Sequence, residues 1–284
     1  MKTHTIDSHI SDLIQKALIE DIQDGDHSSL ACIPSSARGK CHLLVKENGI
    51  LAGMEVARAV FYAVDKHLEF EPLLKDGDVI KKGDIAFYVG GSKQSLLKAE
   101  RLALNFMQRM SGIATNTHRY SLLIKHTNTK LLDTRKTTPN NRIFEKLAVK
   151  IGGGYNHRFG LYDMIMLKDN HIDFAGGIKE AIQKTNEYLK SVKKDLNIEI
   201  EVRDLKELDE VLTVGMIDRI MLDNFSIEDT TIALNKINGK FETESSGGID
   251  ESTIVSYAET GVDYISVGAL THQIKSLDLS LKAI

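Results

Sequence analysis

From Lys130 to Val267 the chain alternates short apolar runs with longer amphipathic stretches, and no other feature limits its fold so strongly. Strands are predicted at Lys130–Asp133, Met164–Leu167, Ile198–Val202, Arg219–Leu222, Phe241–Glu244 and Asp263–Val267. Helices are predicted between them, at Arg142–Ile151, about Ala175–Val192, Leu205–Val214, Ile227–Asn238 and Glu251–Thr260. Strands separated by helix-length segments cannot pair through tight hairpins; they lie parallel, with each helix serving as a crossover. Six such strands fit most economically into a closed or nearly closed β/α barrel, whose active site sits where the strands end.

Upstream, to about Ser111, the pattern changes. An amphipathic helix over Ile10–Glu20 precedes glycine-punctuated strand candidates at Lys40–Lys46, Leu68–Leu74 and Ile85–Val89. A long helix from Leu96 to Met110 then carries Arg101 and Arg109. The turn–strand–turn stretch 75–84 is similar to barrels that carry biotin or lipoate, but no modifiable Met-Lys-Met tip follows it.

With 284 residues the chain is long enough to bury about 75% of its unfolded surface. A net charge of −4 argues against a wholesale nucleic-acid binder. No run of about 18 apolar residues is present to span a membrane, and the opening MKTHTIDSHI lacks a secretory apolar core, so a cytoplasmic protein is expected. Two cysteines, Cys32 and Cys41, exclude a disulfide scaffold. The charge is uneven: residues 133–171 hold seven Lys/Arg against four Asp/Glu, which leaves the remainder at −7. A basic island in an acidic chain suits a small anionic ligand, although a solvated helix face gives the same pattern.

Each predicted strand of the second region carries or ends in polar or small residues. The ends are Asp133-Thr134-Arg135-Lys136, Lys168-Asp169-Asn170-His171, Asp223-Asn224, Ser245-Ser246-Gly247-Gly248 and Gly268-Ala269. Glu199 and Glu201 alternate with Ile198, Ile200 and Val202, so both point to one face of their strand. An interior carboxylate must be paired, hydrated or metal-bound, and a salt bridge into the basic island is the structural alternative. Glu201 and Asp223, on adjacent strands, offer the sparse oxygen ligation that suits Mg²⁺ shared with a substrate's phosphates. No HExxH or CxxC argues for zinc. The two glycine turns let backbone N–H groups approach an anion, and loops after the last two strands recur as phosphate sites in barrels; tight packing is the other explanation. Arginine forks suit carboxylates. Gly152-Gly153-Gly154 ahead of Tyr155-Asn156-His157-Arg158 frees the backbone to turn those side chains inward, where His157 taken alone is as readily a structural histidine. Together these groups fit a phosphorylated sugar and a polycarboxylate.

Long motifs carry a resemblance. They are Asp133-Thr134-Arg135-Lys136-Thr137-Thr138-Pro139, residues 152–158, Leu167-Lys168-Asp169-Asn170-His171, Glu199-Ile200-Glu201-Val202, Leu222-Asp223-Asn224-Phe225, and the two glycine turns. Glu100-Arg101, Asn105, Gln108-Arg109-Met110-Ser111-Gly112 and the stretch from Glu20-Asp21 to Gly25-Asp26 extend it over nearly the whole chain. The chain resembles the quinolinate phosphoribosyltransferases, also called carboxylating nicotinate-nucleotide pyrophosphorylases. One departure is Asn140-Asn141, where the family has Gly after the Pro; Asn tolerates left-handed backbone, so the turn is expected to survive.

The resemblance implies an α/β fold: an N-terminal α/β sandwich with dimer contacts (1–111), an incomplete, TIM-like α/β barrel of about seven strands (112–270), and a C-terminal helix packing back on the first domain (271–284). It implies quinolinate and phosphoribosyl pyrophosphate as substrates, with nicotinate mononucleotide, pyrophosphate and CO₂ as products. Arg101, Arg135, His157, Arg158 and Lys168 would clamp quinolinate. Lys136, Glu201, Asp223, Ser245, Ser246, Gly247, Gly248, Gly268 and Ala269 would hold the phosphoribosyl donor. Lys136, Lys168, Glu201 and Asp223 would be catalytic, with Mg²⁺ on Glu201 and Asp223. Arg101 would reach the neighbouring site of a homodimer or larger even assembly. Nucleic acid and membrane are not expected partners. A paralogue acting on another anion, or a non-catalytic anion binder, would share the fold but have less use for this full set.

Overall fold

A computed structural model describes residues 7–284. In chain order the first region comprises α1 (Ser8–Ile22), α2 (His27–Cys32), β1 (Arg38–Val45), β2 (Gly49–Ile50), α3 (Met54–Val64), β3 (Glu69–Pro72), β4 (Val79–Ile80), β5 (Ile85–Ser92) and α4 (Lys93–Leu123). The second comprises β6 (Lys130–Leu132), α5 (Arg142–Ile151), β7 (Ile165–Leu167), α6 (Asp169–Ala175), α7 (Ile178–Val192), β8 (Ile198–Val202), α8 (Leu205–Val214), β9 (Arg219–Asp223) and α9 (Ile227–Ile237). It continues with β10 (Glu242–Ser246), α10 (Ile254–Glu259), β11 (Tyr264–Ser266), α11 (Ala269–His272) and β12 (Leu279–Ala283).

These elements form two compact units. One takes Met1–His118, Thr137–Gly153 and Gln273–Ile284; the other takes Arg119–Lys136 and Gly154–His272. The chain passes from one unit to the other several times, so each unit gathers residues from distant stretches of sequence. The first unit holds an antiparallel sheet in the order β12-β1-β5-β3, with Phe61, Phe70 and Phe87 clustered on it. The expected C-terminal helix over 271–284 is corrected: its second half is strand β12, paired with β1 from Cys41↔Ala283 to Val45↔Leu279. Leu279 and Leu281 are buried while Ser280 and Lys282 alternate outward. That period of two suits a sheet edge and not a helix face.

The second unit carries a six-stranded parallel sheet in the order β6-β11-β10-β9-β8-β7. Tyr155 adds a single parallel bridge beside Leu132 on β6. No hydrogen-bonded pair among the described residues closes this sheet into a ring, so the expected barrel of about seven strands is an open one. Ile198, Ile200, Val202, Ile220 and Leu222 pack with Leu208, Val211, Ala233 and Ile237 in one apolar core. The opposite faces of the same strands carry Glu199, Glu201, Arg219 and Asp223, so each strand separates an oily side from a charged one. Helix starts are fixed by side-chain caps: Asp204 accepts from the Lys206 and Glu207 amides, and Ser226 from Asp229.

Candidate active site

The C-terminal ends of the parallel strands lie along one edge of the sheet, and most of the expected residues gather there. Lys136 follows β6; its carbonyl accepts from the Thr271 hydroxyl at 2.8 Å. A Cβ on Gly268 would stand 3.0 Å from the Lys136 Cδ, so glycine leaves room for the lysine stem to cross this turn. Between β9 and β10 the Asn224 amide donates to the Ser246 carbonyl at 2.8 Å. Gly247 has φ +95°, and a Cβ there would fall 2.2 Å from the Asn224 Oδ1. Both glycine turns thus permit close approach of the chain to itself, with their backbone on the site edge. Ser246 shares the interior face with Glu244; Ser245 faces the helices beside Thr243.

The carboxylates behave differently from one another. Glu201 is buried, and the Lys168 Nζ lies 2.5 Å from its Oε2. Asp223, half-buried, accepts from the Asn224 side chain at 2.7 Å. These two oxygen-donor groups end adjacent strands, a donor set that fits a hard divalent cation. Opposite in character, Arg135 is exposed and Arg158 half-buried. Burial and then the neighbouring Arg135 charge lower the Arg158 guanidinium below its ordinary value. The Glu199 and Asp163 charges oppose that shift in part. Arg158 donates to the Met164 carbonyl at 3.2 Å.

His157 is buried in the interior, close to two carboxylates. Its Nε2 lies 2.9 Å from Glu199 Oε2 and 3.4 Å from Glu244 Oε2. The Arg158 amide donates to its Nδ1 at 2.7 Å, and the His157 amide donates to the buried Asp133 carboxylate at 2.9 Å. Burial opposes the charged imidazole, but hydrogen bonds and charges from the two glutamates outweigh it and raise the histidine to about 9. Burial, then Glu244, pushes Glu199 up to about 7. Arg219 supplies a cation beneath, 3.3 Å from Glu244 and 2.9 Å from Glu242, stacked over the Tyr264 ring.

The three donor groups of His157, Glu199 and Glu244 lie within 4.8 Å of one another, a spacing that could hold a metal ion. The local hydrogen bonds favour a proton. With His157 raised to about 9, the ring nitrogen facing the two carboxylates carries a proton at neutral pH, and a protonated nitrogen is not a metal ligand.

Among the other expected residues, His171 accepts the Lys168 amide at 3.0 Å and so fastens the start of α6. Arg101 lies on α4 of the first unit with an exposed side chain. The residues that sequence reasoning missed are Glu244, Arg219 and Asp133 as supports. Glu242 and Glu244 repeat the one-face alternation of Glu199 and Glu201, a signal already present in the strand.

A parallel α/β sheet with paired guanidiniums, oxygen donors and glycine turns along one edge defines an enzyme class: α/β proteins that bind anionic substrates at their strand ends. Residues 26–111 match the family profile described as the quinolinate phosphoribosyl transferase N-terminal domain, and residues 113–282 match that of the C-terminal domain. The chain belongs to the quinolinate phosphoribosyltransferase family. It is 46% identical to quinolinate phosphoribosyltransferase (decarboxylating) 1b of Nicotiana tabacum over 95% of this chain and 81% of that one. It is 44% identical to the chloroplastic nicotinate-nucleotide pyrophosphorylase (carboxylating) of Arabidopsis thaliana, again over 95% and 81%. The crystal structure of NadC from Streptococcus pyogenes superposes with a TM-score of 0.93 at 42% identity, covering 100% of both chains.

Proposed function

We propose that this chain transfers a phosphoribosyl group to quinolinate and decarboxylates the product, giving nicotinate mononucleotide, pyrophosphate and CO₂ for NAD biosynthesis. The observation that carries this reading is the Arg135–Arg158 pair. Burial and the Arg135 charge disfavour the charged Arg158 guanidinium, Glu199 and Asp163 offset them only in part, and quinolinate brings two adjacent carboxylates to complete the balance.

The pyridine nitrogen is already a nucleophile, so no general base is needed for attack on the ribose C1. Departure of pyrophosphate is the hard step. Lys136 is placed to neutralise the charge that develops on it, and the turns at Ser246-Gly247-Gly248 and Gly268-Ala269 to anchor the 5′-phosphate. Lys168, Arg135 and Arg158 hold the dicarboxylate. Glu201 and Asp223 are the residues that would hold Mg²⁺, which would supply further charge neutralisation to the leaving group. Once the ring nitrogen is ribosylated its positive charge stabilises the carbanion left at C2, so decarboxylation follows transfer. Release of labelled CO₂ from quinolinate alone would refute that order.

A homodimer or larger even assembly, with Arg101 donated to the neighbouring site, completes the proposal. A groove of about 500 Å³ in the first unit, lined by Leu13, Phe106 and Phe144 among others, is a surface a second copy would cover. No helix among the described residues is long and apolar enough to cross a membrane. A cytoplasmic setting is proposed, while plant relatives carry chloroplastic and mitochondrial names. The deciding experiment is quinolinate-dependent formation of nicotinate mononucleotide and CO₂ with phosphoribosyl pyrophosphate and Mg²⁺. Arg158→Ala should largely abolish it in a folded protein; a wild-type chain that produces neither product would end the reading.

A further inference from the structure

Of the four residues in Leu222-Asp223-Asn224-Phe225, only Asp223 has a part in the proposed chemistry. Asn224 beside it has a φ of +56°, a left-handed backbone that asparagine and glycine adopt at little cost and most other residues avoid. A residue in that state just past the end of β9 turns the chain out of the strand.

Three contacts converge on Asn224, all within the second unit. Its side-chain amide donates to Asp223 Oδ2 at 2.7 Å. Its backbone amide donates to the Ser246 carbonyl at 2.8 Å, just past the last β9–β10 pair, Asp223 with Ser246. Gly247 packs directly against it, so that a Cβ there would stand 2.8 Å from the Asn224 nitrogen and closer still to the side-chain amide. The residue that follows is anchored as well: Phe225 is buried, and its carbonyl accepts from the Tyr257 hydroxyl at 2.7 Å. Asn224 therefore stands on a fixed frame, between the carboxylate that ends β9 and the glycine turn that follows β10. A half-buried carboxylate at a strand end is otherwise free to rotate, and ordering it on binding costs affinity. The bond to Oδ2 restrains the Asp223 side chain beforehand and leaves Oδ1 for a ligand.

We propose that Asn224 is a positioning residue for the phosphoribosyl donor. Through its side chain it aims Asp223, and through its left-handed backbone it holds the turn Ser246-Gly247-Gly248 in register with that carboxylate. This rests on the reading of Asp223 and the glycine turn as the donor site. The two roles lie on different atoms of one residue, so substitutions separate them. Asn224→Gly keeps the backbone and loses the amide; Asn224→Ala loses the amide and strains the backbone. Quinolinate, held by Arg135, Arg158 and Lys168, should be indifferent to the loss of the amide.

Calorimetry on the purified full chain tests this, with phosphoribosyl pyrophosphate and Mg²⁺ in one series and quinolinate in the other. For Asn224→Gly the expected result is donor binding about tenfold weaker, quinolinate affinity within about twofold, and an unfolding midpoint near the wild type's. Donor binding within about twofold of the wild type, or an equal loss for both ligands, would overturn the proposal. A double-variant cycle with Asp223→Ala reads the route. Donor binding is followed there by the rise in unfolding midpoint at millimolar donor, which registers weak binding too. In the Asp223→Ala background, Asn224→Gly should cost less than about twofold more; full additivity would show that the amide does not act through Asp223. Asn224→Ala should bind the donor more weakly than Asn224→Gly, and equal affinity would remove the backbone role. Should Asn224→Ala fail to unfold cooperatively, Gly247→Ala, which presses on the same backbone from the other side, takes its place. A wild type that shows no response to the donor in either measurement would instead refute the reading of the donor site, an outcome distinct from failure of the positioning role.

Discussion

The second unit handles charge in two opposite ways within one sheet. On the site edge, burial and the Arg135 charge disfavour the charged Arg158 guanidinium, and Glu199 and Asp163 offset them only in part. Running inward from the exposed Glu242, Arg219, Glu244, Glu199 and His157 form a network in which each charge meets its opposite. The contrast separates groups kept ready for an anion from groups that hold shape. Unbalanced charge is tolerable only where water or a ligand can reach it, whereas buried charge must be balanced by the protein itself.

Breaking the interior should give the largest effect. Arg219→Ala leaves Glu244 and Glu199 with less countercharge and is expected to lower stability by about 3–5 kcal/mol in urea unfolding. A loss below about 1 kcal/mol would mean that the network is dispensable. The edge should answer differently. Arg135→Ala and Arg158→Ala each remove charge-assisted hydrogen bonds that contribute about 1.5–3 kcal/mol, so quinolinate binding should weaken roughly tenfold to a hundredfold. Their unfolding midpoints should stay near the wild type's or rise, and a marked fall would erase the distinction between the two regions.

Gly247→Ala sharpens the comparison at the phosphate turns. Its φ of +95° and the close Asn224 Oδ1 make any side chain strained. Donor binding should fall with quinolinate affinity little changed, at a stability cost of about 1–3 kcal/mol. The smallest effect is a pH slope. His157 is raised from 6.5 to about 9 in the folded chain, so its contribution is fully present below about pH 6.5. It is lost as pH rises through about 9. Chemical denaturation across that range should show declining stability, flattened in His157→Gln; an unchanged slope in the variant would assign the decline elsewhere.

Much of this was legible in the residue order. The alternation of apolar and polar residues placed β8 and α8 at their observed limits, because strand and helix periods are local properties. A bridge from an interior carboxylate into the basic island stood as the alternative to metal ligation for Glu201, and Lys168 forms it. β12 was misread because a short C-terminal segment shows little periodicity, and its strand state depends on the edge that β1 offers. The two glutamates beside His157 lie 42 and 87 positions away in the chain. That distance conceals the contact.

The sequence by itself determined the two-part organisation, the strand–helix rhythm, the residues gathered on the strand ends and the family. These follow from local periodicity and from motifs that survive as contiguous words. Only the tertiary structure decided which strands neighbour one another, that the parallel sheet stays open, and that Glu199, Glu244 and Arg219 meet around one histidine. The physical reason is that burial, and the electrostatic balance burial demands, arise from residues far apart in the chain, brought together only when the strands take their places in the sheet.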